Sequence, residues 1–115
     1  MSRRDSQRLR DILEAIEKIR HAAAQGRGVF ETEEMVQVWI IHHIQIIGEA
    51  ARALSESFRA RHPQVPWPQI VGMRNILVHD YFGIDLEEVW TVVARDLPVL
   101  QREVEAILAT DPAAG

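Results

Sequence analysis

Apolar residues recur with a helical period along most of this chain. From Asp5 to Ala24, Leu9, Ile12, Leu13, Ile16 and Ile19 fall three or four apart, with acids and arginines between them. That spacing predicts an amphipathic first helix. Gln25-Gly26-Arg27-Gly28 should end it, since glycine enters turn conformations that other residues resist. Thr32 stands where an N-cap belongs, with Glu33 and Glu34 in the first turn of a second helix, where the helix dipole favours acids. This helix is expected to run to about Arg61, before the breaker Pro63. Its middle, Val36 to Ile47, is apolar on more than one face. Gly48, Ala50 and Ala51 then thin it, so that another backbone can come close. A helix apolar nearly all round in so small a chain points to a partner as well as a core, and a homodimer built partly on this helix is expected.

The next stretch, His62-Pro63-Gln64-Val65-Pro66-Trp67-Pro68, predicts a stiff connector. Pro68 suits the first turn of a third helix, running from Gln69 to about Phe82 with Gly83 as its stop. Asp85-Leu86-Glu87-Glu88 has the form of a capping box, with Ile84 and Val89 spaced for a hydrophobic staple. The last helix carries Trp90, Val93, Leu97, Leu100, Val104 and Ile107. Pro98 should kink it rather than end it, because the apolar pattern resumes beyond. Thr110 to Gly115 reads as a loose tail. No strand pattern, repeat or glycine-rich phosphate loop is present. The expectation is one domain over residues 1–115, an all-α bundle of four or five helices.

Composition narrows the function. A chain of 115 residues can bury a core unaided, and with no cysteine it has neither disulfides nor a thiolate metal site. The charged N-terminus lacks a signal-type apolar block. The most apolar run, Met35 to Ala53, is broken by Gln37, His42, His43, Gln45, Glu49 and Arg52, which is too polar to span a bilayer. A cytoplasmic protein with no membrane association is expected. The net charge of -4 argues against broad, charge-driven binding to nucleic acid but leaves room for a local cationic pocket. Of the 13 Lys and Arg, only Lys18 is lysine. That bias suits two-pronged pairing with carboxylates or phosphates, although a GC-rich coding sequence produces it too.

The chemistry concentrates in Arg74-Asn75-Ile76-Leu77-Val78-His79-Asp80-Tyr81. Arg can grip a phosphate with a planar fork, and His can move protons near neutral pH. At about 100° per residue, Arg74 and Tyr81 lie almost on one line of the third helix, beside Ile70, Leu77 and Val78. Asn75 and His79 share another face. Arg74 and His79 diverge by roughly 140° on an ideal helix. To meet one phosphate, the helix end must deviate, the Arg74 side chain must curl round, or a second subunit must complete the site. Such a group could cleave RNA without a metal. His79 would act as general base or acid on the ribose 2′-hydroxyl or the leaving oxygen, and Arg74 would stabilise the phosphorane-like transition state. Asn75 could orient His79, and Tyr81 could contact base or phosphate.

The spacing Arg-x4-His-x-Tyr, as Arg74…His79-Asp80-Tyr81, resembles the signature of the HEPN superfamily and of its HepT-like toxins. Ile46-Ile47-Gly48-Glu49-Ala50, Val65-Pro66-Trp67, Ile70-Val71-Gly72-Met73-Arg74-Asn75 and Tyr81-Phe82-Gly83-Ile84-Asp85 resemble family blocks in the expected order, so that the likeness covers Arg8 to Leu108. The resemblance implies a dimeric HEPN-type bundle that is an endoribonuclease, with Arg74 and His79 catalytic and Asn75, Asp80 and Tyr81 supporting. It implies the toxin of a toxin–antitoxin pair whose partner is an MntA-like nucleotidyltransferase. That antitoxin would transfer AMP to Tyr81, bringing charge and bulk to the site RNA must enter. No cofactor and no metal ion are implied. The alternative is a non-catalytic helical adaptor that binds a nucleotidyltransferase or a nucleotide, which suits the acidic balance.

Other residues invite weaker readings. His42 and His43 are adjacent on a helix and point about 100° apart, so they suit hydrogen-bonded interface positions better than one metal ion. Glu49 and Arg52 are spaced as a helix-surface pair, packing around Gly48, or alternatively as lining for a dimer cleft. Arg52 and Arg59, seven apart, could track an RNA backbone or be merely solvated. Trp39, Trp67 and Trp90 suit core or interface anchors better than base-stacking platforms. Asp80 could balance Arg74, a partner's Arg, or nothing but water.

Overall fold

The computed structural model describes residues 1–78 and 85–110, and of residues 75–78 the backbone only. Every regular element among them is helical: α1 (Arg3–Ala23), α2 (Arg27–Thr32), α3 (Glu34–Arg52), α4 (Glu56–Arg61), α5 (Trp67–Val78), α6 (Leu86–Thr91), a π-helical turn (Val92–Asp96) and α7 (Leu97–Thr110). The last three join without a break. Four long rods therefore make an all-α bundle, with α2 and α4 as short links. α1 packs chiefly on α3, and α3 in turn on α5, while the C-terminal rod closes over α1.

The periodic residues do the packing. Leu9, Ile12, Ile16 and Ile19 of α1 are fully buried against Ile40, Ile44 and Ile47 of α3, with Leu97 and Val104 of α7 in the same core. Phe30 of α2 seals one end, its ring 5.2 Å from that of Trp90. Phe58 of α4 is buried beside Trp67, whose Nε1–H donates to the His62 carbonyl at 3.0 Å. Burial of whole Leu, Ile or Phe side chains at about 1.5–3 kcal/mol each is what holds the rods together.

Several boundaries differ from the pattern's expectation. Thr32 is not an N-cap: it ends α2, and its hydroxyl donates back to the Gly28 carbonyl at 2.9 Å. α3 starts after Glu33, which makes no side-chain cap. Nor does α3 reach Arg61. It stops at Arg52, and a new helix begins at Ser55, whose Oγ accepts from the Phe58 amide at 3.2 Å. The capping serine was the available signal, and the apolar period on either side hid it.

Other boundaries agree. Gly26 takes the positive φ of 103° that follows the end of α1. Pro68 lies in the first turn of α5, and Asp85 caps α6 by accepting from the amides of Glu87 and Glu88 at 3.0 and 3.1 Å. The staple partner Ile84, the end of the third helix at Phe82-Gly83, and the tail from 111 on lie outside the described residues. The helix does continue past Pro98. The irregularity expected there takes the form of the π turn just before it, in which the Leu97 amide reaches back five residues to the Val92 carbonyl. A proline ring presses on the carbonyl four residues back and offers no amide of its own, and a widened turn accommodates both.

Candidate functional site

Arg74 sits in the second half of α5, and α3 fixes its position. Gly48 is buried where α5 crosses α3. A β-carbon built on Gly48 would meet Arg74 Cβ at 2.9 Å, the Arg74 amide nitrogen at 3.2 Å and the Ile70 carbonyl oxygen at 3.4 Å. Only a residue without a side chain lets the two backbones approach so closely. The close approach read from Gly48-Glu49-Ala50-Ala51 therefore occurs, and within one chain.

Glu49, the next residue, reaches the same arginine. Its Oε1 forms an ion pair with Arg74 Nε, the two side chains being 52 % and 36 % exposed. The expected pairing of Glu49 with Arg52 is thus replaced by a contact between helices. Nothing in local spacing could have revealed it, because the partners are on different helices. Charge-assisted contacts of this kind are directional, and this one uses the inner edge of the guanidinium.

Asn75 follows Arg74 in the last turn of α5 and is described by its backbone alone; His79, Asp80 and Tyr81 lie outside the described residues. Arg52 is exposed at the end of α3, whereas Arg59 belongs to α4. The helix break between them removes the shared helical line on which their pairing was based. Arg59 is half-buried, and its Nε is enclosed without a hydrogen-bond partner among the described residues.

The two adjacent histidines part company. His43 is buried, and its Nδ1 lies 2.7 Å from the Trp39 carbonyl. A carbonyl only accepts, so Nδ1 donates the proton of this bond. The Trp39 ring lies 4.3 Å from that of His43, and His42 is exposed. No group of three or more His, Asp or Glu able to hold a metal occurs among the described residues. A cleft of about 550 Å³ opens between α1 and α3, lined by Arg8, Asp11, Lys18, His42, His43 and Glu49 among others. It brings open space up to the carboxylate that holds Arg74.

Sequence reading passed over a second polar junction. Asp5 is buried in the first turn of α1, and its carboxylate accepts from the Ser55 amide at 2.9 Å and the Ser55 hydroxyl at 2.7 Å. Burial pushes the Asp5 carboxyl up, but the hydrogen bonds from Ser55 and Ser2 and the charge of Arg61 outweigh it, leaving the group below its ordinary 3.8. Asp5 thereby ties the start of α1 to the cap of α4.

An all-helical bundle whose fifth helix presents Arg74 ahead of an Asn, with a His-x-Tyr sequence beyond, defines a HEPN-type protein. The chain belongs to the ribonuclease HepT-like family, whose model matches residues 12–107. Among relatives, a candidate RNase of Methanocaldococcus jannaschii is 41 % identical over 109 residues, spanning 93 % of this chain and 100 % of its own. A Thermococcus cleftensis protein named as a probable ribonuclease HepT is 34 % identical over 108 residues, spanning 93 % and 98 %. A further M. jannaschii protein, named as a gamma-glutamylcyclotransferase and candidate RNase, is 39 % identical over 101 residues that make up 87 % of this chain but 46 % of that one. No solved structure matches the chain. Among the described residues, no helix is long and apolar enough to cross a membrane.

Proposed function

We propose that this protein is an endoribonuclease that cleaves RNA without a metal ion. The observation that carries the reading is family membership across residues 12–107, a span that contains Arg74, His79 and Tyr81 in the Arg-x4-His-x-Tyr spacing. The ribose 2′-oxygen attacks the adjacent phosphorus, the P–O5′ bond breaks, and a 2′,3′-cyclic phosphate and a 5′-hydroxyl result. His79 takes the 2′-hydroxyl proton or supplies one to the leaving oxygen. Arg74 balances the charge that builds on the non-bridging oxygens. Asn75 and Asp80 support the two, and Arg52, exposed at the end of α3, contacts the RNA backbone. Two copies associate through α3, whose outer face carries exposed Met35, Val38 and Trp39.

The same reading makes the protein the cytoplasmic toxin of a type VII toxin–antitoxin pair. Its antitoxin is an MntA-like nucleotidyltransferase that transfers AMP from ATP to Tyr81. The Tyr81 hydroxyl attacks the α-phosphorus, pyrophosphate leaves, and the added phosphate sets negative charge beside Arg74 and His79.

The decisive experiment incubates purified wild type, Arg74→Ala and His79→Ala with RNA in EDTA. Cleavage by the wild type with 5′-hydroxyl ends, strongly reduced in both variants, is the expected result. Equal cleavage by all three, or none by the unmodified wild type, would overturn it.

A further inference from the structure

We infer that Glu49 is a positioning residue for Arg74, a role that rests on the ribonuclease reading above. A guanidinium offers five N–H groups in a flat fork, and a phosphate is best gripped by the outer edge, through Nη1 and Nη2. The Glu49 carboxylate engages Nε, on the inner edge. A carboxylate held there turns the fork outward without using the terminal pair for the contact. The alternative grip, both carboxylate oxygens across Nη1 and Nη2, would occupy the edge that a phosphate needs.

The carboxylate can act this way because its own origin is fixed. Glu49 follows Gly48, the point at which α3 and α5 touch, with Arg74 Cβ at the contact itself. Both side chains therefore start from backbones packed in direct contact, and only their outer torsions need to be held. An unrestrained arginine loses rotamer freedom when it is fixed. An ion pair made before substrate arrives takes that loss out of the step in which RNA is bound and cleaved.

A stabilising role is a poor rival. At exposures of 52 % and 36 %, an ion pair adds little to folding. Its effect belongs in the orientation of Arg74, and that is measurable.

The test compares Glu49→Ala and Glu49→Gln with wild type in single-turnover RNA cleavage, each also in an Arg74→Ala background. Arg74 Nε–H is followed by NMR in the same proteins. Glu49→Ala should lower kcat by on the order of 100-fold, the scale of a small misplacement of a transition-state group, with KM changing far less. Glu49→Gln, which keeps an acceptor oxygen, should recover part of that loss. In the Arg74→Ala background the Glu49 change should cost nothing further. The Arg74 Nε–H signal, protected from exchange in wild type, should lose protection in Glu49→Ala. A Glu49→Ala protein as fast as wild type overturns the proposal, and a faster one marks the pair as a brake instead. A full additional loss in the Arg74→Ala background also overturns it, since Glu49 would then act on its own. If wild type cleaves no RNA, the ribonuclease reading fails and takes this proposal with it. A cleaving wild type with an unaffected Glu49→Ala sinks the proposal alone.

Discussion

Gly48 on α3 and Arg74 on α5 stand so close that a β-carbon on the glycine would lie 2.9 Å from that of the arginine. The obstruction is a Cβ attached to helix backbone, so relief requires α5 to move as a rod. Gly48→Ala should therefore lower stability by about 1–3 kcal/mol, as overpacking does elsewhere. It should also reduce RNA cleavage by more than the unfolded fraction explains. Urea midpoints alongside cleavage rates at a temperature where both proteins are folded will separate the two effects. A Gly48→Ala protein with wild-type stability and rate would mean that α5 has room to spare.

Asp5 makes a prediction about pH. Its folded carboxyl lies below the ordinary 3.8 because the Ser55 bonds and Arg61 overcome the opposing effect of burial. A depressed carboxylate contributes stability that is fully present above the unfolded pKa and is lost as pH falls through the folded one. Asp5→Asn should thus be less stable than wild type at neutral pH, by about 1.5–3 kcal/mol for hydrogen bonds to a charged group. Its deficit should shrink as pH drops from 5 towards 3. Urea titrations across that range check the sign; a deficit that widens on acidification contradicts it.

Tyr81 is the only tyrosine in the chain. On the proposed toxin–antitoxin reading, co-expression with an MntA-like nucleotidyltransferase should add AMP-sized mass increments to wild type and none to Tyr81→Phe. Tyr81→Phe should also escape neutralisation while still cleaving RNA. Intact-mass spectra and a growth assay address the two halves separately. Increments that persist in Tyr81→Phe would move the modification to another residue.

The outer face of α3 offers a test of assembly. Met35 is 82 % and Val38 58 % exposed, and neither supports the core of its own chain. Met35→Asp with Val38→Asp should leave the helical signal and melting profile of each protomer intact. Sedimentation equilibrium should then give half the wild-type mass. Unchanged mass, or a monomeric wild type, would rule α3 out as the contact.

The sequence by itself determined the class of fold and the course of most of its helices. Leu9, Ile12, Ile16 and Ile19 are buried as their spacing predicts, and Gly26 and Asp85 terminate and start helices as their chemistry dictates. These are local properties: periodicity, turn conformation and capping act within a few residues. Legibility failed where two local signals competed. The apolar period ran across Ser55, and so masked the break that puts Arg52 and Arg59 on separate helices. The motif Arg74…His79…Tyr81 was visible as residue types at fixed intervals, and the described part of it places Arg74 half-buried beside α3.

What only the tertiary structure decided is which distant groups meet. Glu49 had a neighbour of opposite charge at helical spacing in Arg52, yet its carboxylate holds Arg74. Asp5, unremarkable in a charged N-terminus, is buried on Ser55 fifty residues away. In each case the choice depends on how closely one rod packs on another, and Gly48 sets that distance between α3 and α5. Helical periodicity tells which face of a rod turns inward. It carries no information about which residue of the next rod lies opposite, and that register is where the setting of Arg74 was made.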